Sequence, residues 1–313
     1  MRLGARRFVV THRQMRSSSR HPILRLGVRT GDLAVACPDL RPVRPARTTD
    51  VPARPSPKAL LAANWKMNPV NAGDALDLVK GVMPAATKNP DLVEVAIFPP
   101  FPWLLGIAEV IENTTVKLGA QDCFWEISGA YTGEVSPAML KGWCQWVIIG
   151  HSERRAYLGE TDDMVARKTA AALANELSVI MCVGELNEHY EAGKTNDVVT
   201  AQVKAGLANC SADDSARLVI AYEPVWAIGS GKSADPEHAY KTMRLIRRTV
   251  GEMIGAGAAK KVRVLYGGSV NASNVEAYVE LPLCDGCLVG GASLNADEFA
   301  KIVDVTAGVY GHR

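Results

Sequence analysis

The sequence predicts a single (β/α)8 barrel over residues 58–313, preceded by a basic, disordered extension over residues 1–57. Three observations carry this reading. Short apolar runs recur eight times through the body, amphipathic or capped segments lie between them, and charge and proline are divided unequally between the two parts. Strict alternation of strand and helix implies a parallel sheet with right-handed crossovers. Eight such units in about 250 residues is the length of a closed barrel.

The extension is read from its composition. Twelve of the 35 Lys+Arg, three of the 33 Asp+Glu and seven of the 17 prolines fall within residues 1–57, so this part carries +9. The body carries 23 basic and 30 acidic residues, a net of −7, and the formal +2 of the whole chain hides the contrast. Proline every few residues from Pro38 to Pro57 blocks helices and ladders, and too few apolar residues recur to offset the entropy of ordering. An Arg-rich, Ser-containing, acid-poor leader fits an organellar transit peptide; the alternative is a start codon placed upstream of the true one. A nucleic-acid arm is disfavoured, because beyond Phe8 no aromatic residue is interleaved with the arginines. Phe8-Val9-Val10 is too short for a secretory signal.

The strands are expected at Leu60–Ala63, Val93–Phe98, Val116–Leu118, Trp146–Ile149, Val179–Val183, Leu218–Tyr222, Val262–Tyr266 and Gly286–Val289. Continuous apolar runs suit parallel strands buried on both faces. Eight helices are expected between and after them. The clearest opens at Asp235-Pro236, an N-cap acid with proline at the first helical position, and steps along one face through Ala239, Met243, Ile246, Val250 and Met253. Another follows Thr161, with Asp162 and Asp163 where the helix dipole favours anions. An open doubly wound sheet would want a Gly-rich turn after the first strand, where this chain has Asn64-Trp65-Lys66-Met67-Asn68. No run approaches the ~18 apolar residues of a membrane span. The seven cysteines are scattered, and Cys284-Asp285-Gly286-Cys287 lacks the second pair or histidine of a zinc site. Small buried hydrophobes are the expectation for them.

A barrel gathers the carboxyl ends of its strands around one mouth. Strand one ends in Asn64-Trp65-Lys66, strand four in Gly150-His151-Ser152-Glu153, and strand six in Glu223-Pro224. Strand seven ends in Gly267-Gly268-Ser269 and strand eight in Gly290-Gly291. Taken singly, each has a structural explanation: a surface lysine, a satisfied histidine, a turn, a tight loop. Taken together, Lys66, His151 and Glu223 converge. A carboxylate closed off from water can abstract a proton from carbon, a histidine can polarise the adjoining carbonyl, and a lysine favours the negative charge that develops. Ser269 and the glycines after strands seven and eight offer backbone N–H groups to an anion at the usual phosphate position of this architecture. The chemistry implied is proton transfer beside a carbonyl in a small phosphorylated sugar. Gly229-Ser230-Gly231-Lys232-Ser233 imitates the end of a P-loop, but Trp226 stands where that motif needs glycine. The segment reads instead as a loop that closes over strand six.

These motifs resemble the triosephosphate isomerase family: Asn64-Trp-Lys-Met-Asn68, Ile149-Gly-His-Ser-Glu-Arg-Arg155, Ala221-Tyr-Glu-Pro-Val-Trp-Ala-Ile-Gly-Ser-Gly-Lys-Ser233, Tyr266-Gly-Gly-Ser269 and Leu288-Val-Gly-Gly291, in family order over 58–306. The resemblance implies interconversion of dihydroxyacetone phosphate and D-glyceraldehyde 3-phosphate without metal or organic cofactor. It makes Glu223 the base, His151 the neutral electrophile and Lys66 the enediolate stabiliser. Asn64 positions substrate, and Ser152 and Glu153 support the set. Gly229, Ser269, Gly290 and Gly291 grip the phosphate, with 224–233 as the lid. A cytoplasmic homodimer is implied, or an organellar one if the extension is a transit peptide, with Thr132 in the loop Trp125–Val135 reaching toward the partner. Trp125, Ile127 and Tyr131 make that loop apolar enough to want a cover. The sequence departs from the family after Gly184-Glu185, with Tyr190 where the family more often has Arg. Two other readings compete: a barrel kept for binding alone, and an isomerase of a larger sugar phosphate.

Overall fold

The computed structural model describes residues 57–228 and 233–313. The extension up to residue 56, and with it the expectation of disorder, lies outside the described residues, as do Gly229 and Gly231. The body is the expected closed barrel. β1 (Ala59–Asn64), β2 (Val93–Phe98), β3 (Lys117–Ala120), β4 (Trp146–Ile149), β5 (Ser178–Val183), β6 (Leu218–Tyr222), β7 (Arg263–Tyr266) and β8 (Gly286–Val289) pair in that order, and β8 returns to β1. Every pairing is parallel.

Side chains on a strand alternate between faces. Leu60 and Ala62 join Phe98, Ile148, Ile180 and Leu288 in a cluster inside the barrel. Leu61 and Ala63 join the larger layer between strands and helices. Both faces are apolar because both are covered, which is why the strands read as unbroken apolar runs. Polar side chains also meet near the amino ends of the strands. There Glu94 accepts from Trp146 Nε1 at 3.2 Å and from Arg263 at 2.7 Å, and the guanidinium lies 5.3 Å from the Trp146 ring centre.

The helices are α1 (Ala72–Ala86), α2 (Leu104–Ile111), α3 (Pro137–Leu140), α4 (Ser152–Leu158), α5 (Asp162–Ala174), α6 (Asn187–Glu191), α7 (Thr195–Gly206), α8 (Pro236–Ile254), α9 (Ala256–Ala259), α10 (Val275–Val279) and α11 (Ala296–Gly311). The expected eight are therefore too few: the connections after β4, β5 and β6 each carry two. The Thr161 hydroxyl caps α5 and the Asp235 carboxylate caps α8, as their residue types predict. Along α8 the buried stripe runs through Ala239, Met243, Ile246 and Val250 and then finishes on Ile254, while Met253 is exposed. At 3.6 residues per turn the fifth position falls between the two, and Ile254 is the one that faces the core. β3 also differs, running two residues past the expected Leu118. Gly119 belongs to the strand, where it pairs with Trp146, and a Cβ on it would collide with the Phe98 ring, so its missing side chain makes room for that ring inside the barrel. Among the described residues no helix is long and apolar enough to cross a membrane. Cys284 and Cys287 are fully buried, as small hydrophobes.

Candidate active site

The site forms where β1, β4 and β6 end. Asn64 is the last residue of β1 and is buried; its Oδ1 accepts from Lys66 N–H at 3.0 Å. Lys66 itself sits in the left-handed region, φ 55°, which costs a non-glycine residue about 1 kcal/mol or more. That backbone is held from above as well: Gln121, just beyond β3, donates through Nε2 to the carbonyls of Lys66 (2.7 Å) and Phe98 (2.8 Å). The Lys66 ammonium pairs with Glu153 Oε1 at 2.6 Å. Gly290 lies beside the same side chain, since a Cβ on it would come within 3.2 Å of Lys66 Cε.

His151 caps the amino end of α4, and Glu223 follows β6. His151 Nε2 meets Glu223 Oε1 at 3.0 Å, and Ser152 N–H donates to Glu223 Oε2 at 2.9 Å. All three residues are buried. Burial resists ionisation of Glu223, but the adjacent His151, the Ser152 N–H and Lys66 outweigh it and hold the carboxyl below its ordinary pKa. Burial likewise resists charge on His151, and the Glu223 carboxylate outweighs it, raising the imidazole above its ordinary value. Against that pull, Nδ1 accepts the Glu153 N–H at 3.2 Å. A second ring proton would face that N–H head-on at the positive end of α4, so directional geometry favours one proton, on Nε2. Glu153 Oε2 lies 3.6 Å from the same Nδ1, so Glu153 touches both Lys66 and His151. The supporting contact of Ser152 is through its backbone N–H.

Ser269 is half-buried after β7 and its carbonyl accepts from Asn274. Gly290 and Gly291 open the 3₁₀ turn Gly291–Leu294, with Ser293 bonded back to the Gly290 carbonyl. Gly229 lies outside the described residues. Thr132 is exposed at the tip of the loop after β3, beside exposed Ile127 and Tyr131. Trp125 is not part of that exposed surface: it stacks on Phe124 and lies under the Arg167 guanidinium at 4.0 Å. A cavity of about 260 Å³ opens next to Glu223, walled by Cys182, Val183, Leu186, Val198 and Val225. Among the described residues no group of three or more His, Cys, Asp or Glu side chains is placed to hold a metal.

Sequence reasoning assigns no site role to two residues of the mouth. Gln121 and Glu185 follow β3 and β5, where a lone Gln or Glu looks like surface polarity. Glu185 is fully buried and accepts from Trp226 Nε1 at 2.8 Å and from the Tyr222 hydroxyl at 3.0 Å. The signal available was position: each stands within two residues of the carboxyl end of a barrel strand.

The family model described as triosephosphate isomerase matches residues 59–306. Triosephosphate isomerase of Chloroherpeton thalassium is 47% identical over 247 residues, covering 79% of this chain and 98% of that protein. Those of Caldanaerobacter subterraneus subsp. tengcongensis and Geobacter metallireducens are also 47% identical, over 248 and 249 residues, covering 79% of this chain and 99% and 98% of theirs. With the matched span running from the first residue of β1 into α11, the chain belongs to the triosephosphate isomerase family.

Proposed function

We infer that this chain interconverts dihydroxyacetone phosphate and D-glyceraldehyde 3-phosphate, in glycolysis and gluconeogenesis, as a cytoplasmic homodimer. The observation that carries the reading is the meeting of Glu223, His151 and Lys66 at one mouth, at 3.0 Å from base to imidazole, with Glu153 joining imidazole to ammonium. The chemistry is the long-established one of this family. Glu223 takes a proton from the carbon next to the carbonyl, leaving an enediolate. His151 Nε2–H donates to the developing oxyanion; a neutral imidazole is the better matched acid for that oxygen. Lys66 stabilises the negative charge and Asn64 orients the substrate. The N–H groups around Ser269, Gly290 and Gly291, with Gly229, hold the phosphate. Thr132 carries the interface loop to the partner protomer.

Glu223 is held by Ser152 N–H and His151. Glu223 and Glu153 raise the His151 pKa, while burial, Lys66 and the positive end of α4 favour the neutral ring that the donor role needs. The test is turnover of glyceraldehyde 3-phosphate by the full chain and by Glu223→Ala. A loss of at least ~10²-fold is expected from removing one general base. Undiminished turnover in Glu223→Ala, or none in the parent chain, overturns the assignment.

A further inference from the structure

Behind the catalytic set lies a cluster that none of those steps employs. Glu185 Oε1 receives both Trp226 Nε1–H and the Tyr222 O–H. Tyr222 is the residue before Glu223, and Trp226 lies three residues after it. Tyr222 has a single proton to give. Glu185 takes it, because its acceptor bonds outweigh burial and keep this carboxyl ionised, below its ordinary pKa. His238 Nε2 stands 2.9 Å from the same hydroxyl, so the imidazole must be the donor there. His238 lies in the first turn of α8. Its Nε2 is also 3.6 Å from Glu185 Oε1. Tyr190 stacks on Trp226, with ring centres 4.2 Å apart, and meets His238 edge-on at 5.2 Å.

We propose that His238 is a positioning residue for the catalytic base: it completes the donor chain that fastens Tyr222 and Trp226, on either side of Glu223, to the Glu185 carboxylate. The chain runs one way, from His238 N–H to the Tyr222 oxygen and from Tyr222 O–H to Glu185. Nε2 is therefore the ring atom that carries the proton. The titratable and charged groups around the ring are Glu185 after β5, Tyr222 on β6 and Tyr190 on α6; on α8 itself Glu237 pairs with Lys241 at 2.7 Å, both exposed. Glu185 is therefore the charge nearest the ring.

The activity readout rests on the isomerase reading above. kcat and KM of the full chain are measured from pH 5 to 9 for His238→Leu, which has neither donor nor charge, and for His238→Gln, which has a donor but no charge. Loss of one hydrogen bond corresponds to about a 2- to 10-fold fall in kcat for His238→Leu, with KM within about twofold. His238→Gln, which keeps the donor, should recover most of this at every pH. A packing role alone would give no rescue by glutamine. A glutamine variant that falls as far as the leucine variant overturns the proposal; should the leucine variant fail to fold, a glutamine kcat within about twofold of the parent supports it and a larger fall overturns it. If the parent chain turns over no triose phosphate, the isomerase reading fails separately, and the 15N resonances of His238 still decide the donor chain. A protonated Nε2 is expected; an Nδ1–H tautomer overturns it.

Discussion

Lys66 shows how much of the site depends on single residues. Its ammonium must reach the mouth from a backbone that L-residues avoid, and two groups hold it there: Asn64 Oδ1 at the N–H and Gln121 Nε2 at the C=O. Removing the Gln121 amide frees Lys66 without touching substrate. Gln121→Ala is expected to lower kcat/KM about tenfold, the size of one or two hydrogen bonds to an oriented group, while the melting temperature moves little. An unchanged kcat/KM would show that Asn64 alone fixes Lys66. The residues that act on substrate in this reading were legible because they sit in contiguous motifs at strand ends. Gln121 and Glu185 were not, because their bonds reach across 55 and 41 residues and no local pattern encodes them.

At the scale of elements, alternation and capping carried the prediction, and close packing corrected it. The sequence predicts a β3 that stops at Leu118, because glycine is a poor strand residue by propensity. In the barrel the Phe98 ring fills the space its side chain would take, and packing overrides propensity. Gly119→Ala should therefore destabilise by about 1–3 kcal/mol through overpacking, measured as a lower urea midpoint at unchanged m-value. A neutral result would mean the ring can turn aside. The extra helices after β4, β5 and β6 were invisible for a different reason. α6 and α9 have five and four residues, too few for a period to register. α4 owes its position to the His151 side chain, which accepts from Glu153 N–H at the cap of its first turn.

For the whole molecule, electrostatics divides between a buried network and net charge. Asp122, Arg154, Glu160 and Lys168 form a cluster between the start of the β3 loop and helices α4 and α5. Lys168 pairs with both carboxylates and Arg154 reaches both as well. Burial pushes the Asp122 pKa up to about 6, against the pull of Lys168. A carboxyl raised on folding binds its proton more tightly in the native state, so its contribution to stability falls as pH rises from about 4 to 6 and is constant above. Asp122→Asn removes that dependence. Relative to the parent, the variant should gain up to about 3 kcal/mol between pH 4 and pH 7.5, about two pKa units at 1.36 kcal/mol each, in denaturant titrations at both pH values. A pH-independent difference would place the titration elsewhere. The body also carries −7, so its anionic substrate is drawn by Lys66 and local N–H groups rather than by a basic surface. If residues 1–57 are absent from the working enzyme, native isoelectric focusing should place it on the acidic side of the whole-sequence pI of about 8.1, and N-terminal mass analysis should find a start near residues 51–60. A native start at Met1 would refute both a cleaved leader and a misplaced start.

The pairing of β1 with β8 sets a limit on where such a start can fall. β1 begins at Ala59 and its first partners are Val93 on one side and, from Leu60, Gly286 on the other. In a ring of eight, the first strand is a closing stave as well as a beginning. A cut that took even half of it would leave β2 and β8 with bare margins, each an invitation to pair with another molecule. Any maturation that trims this chain therefore has almost no slack beyond Lys58. The price of overshooting would be a sticky, open sheet that precipitates rather than a slightly smaller enzyme.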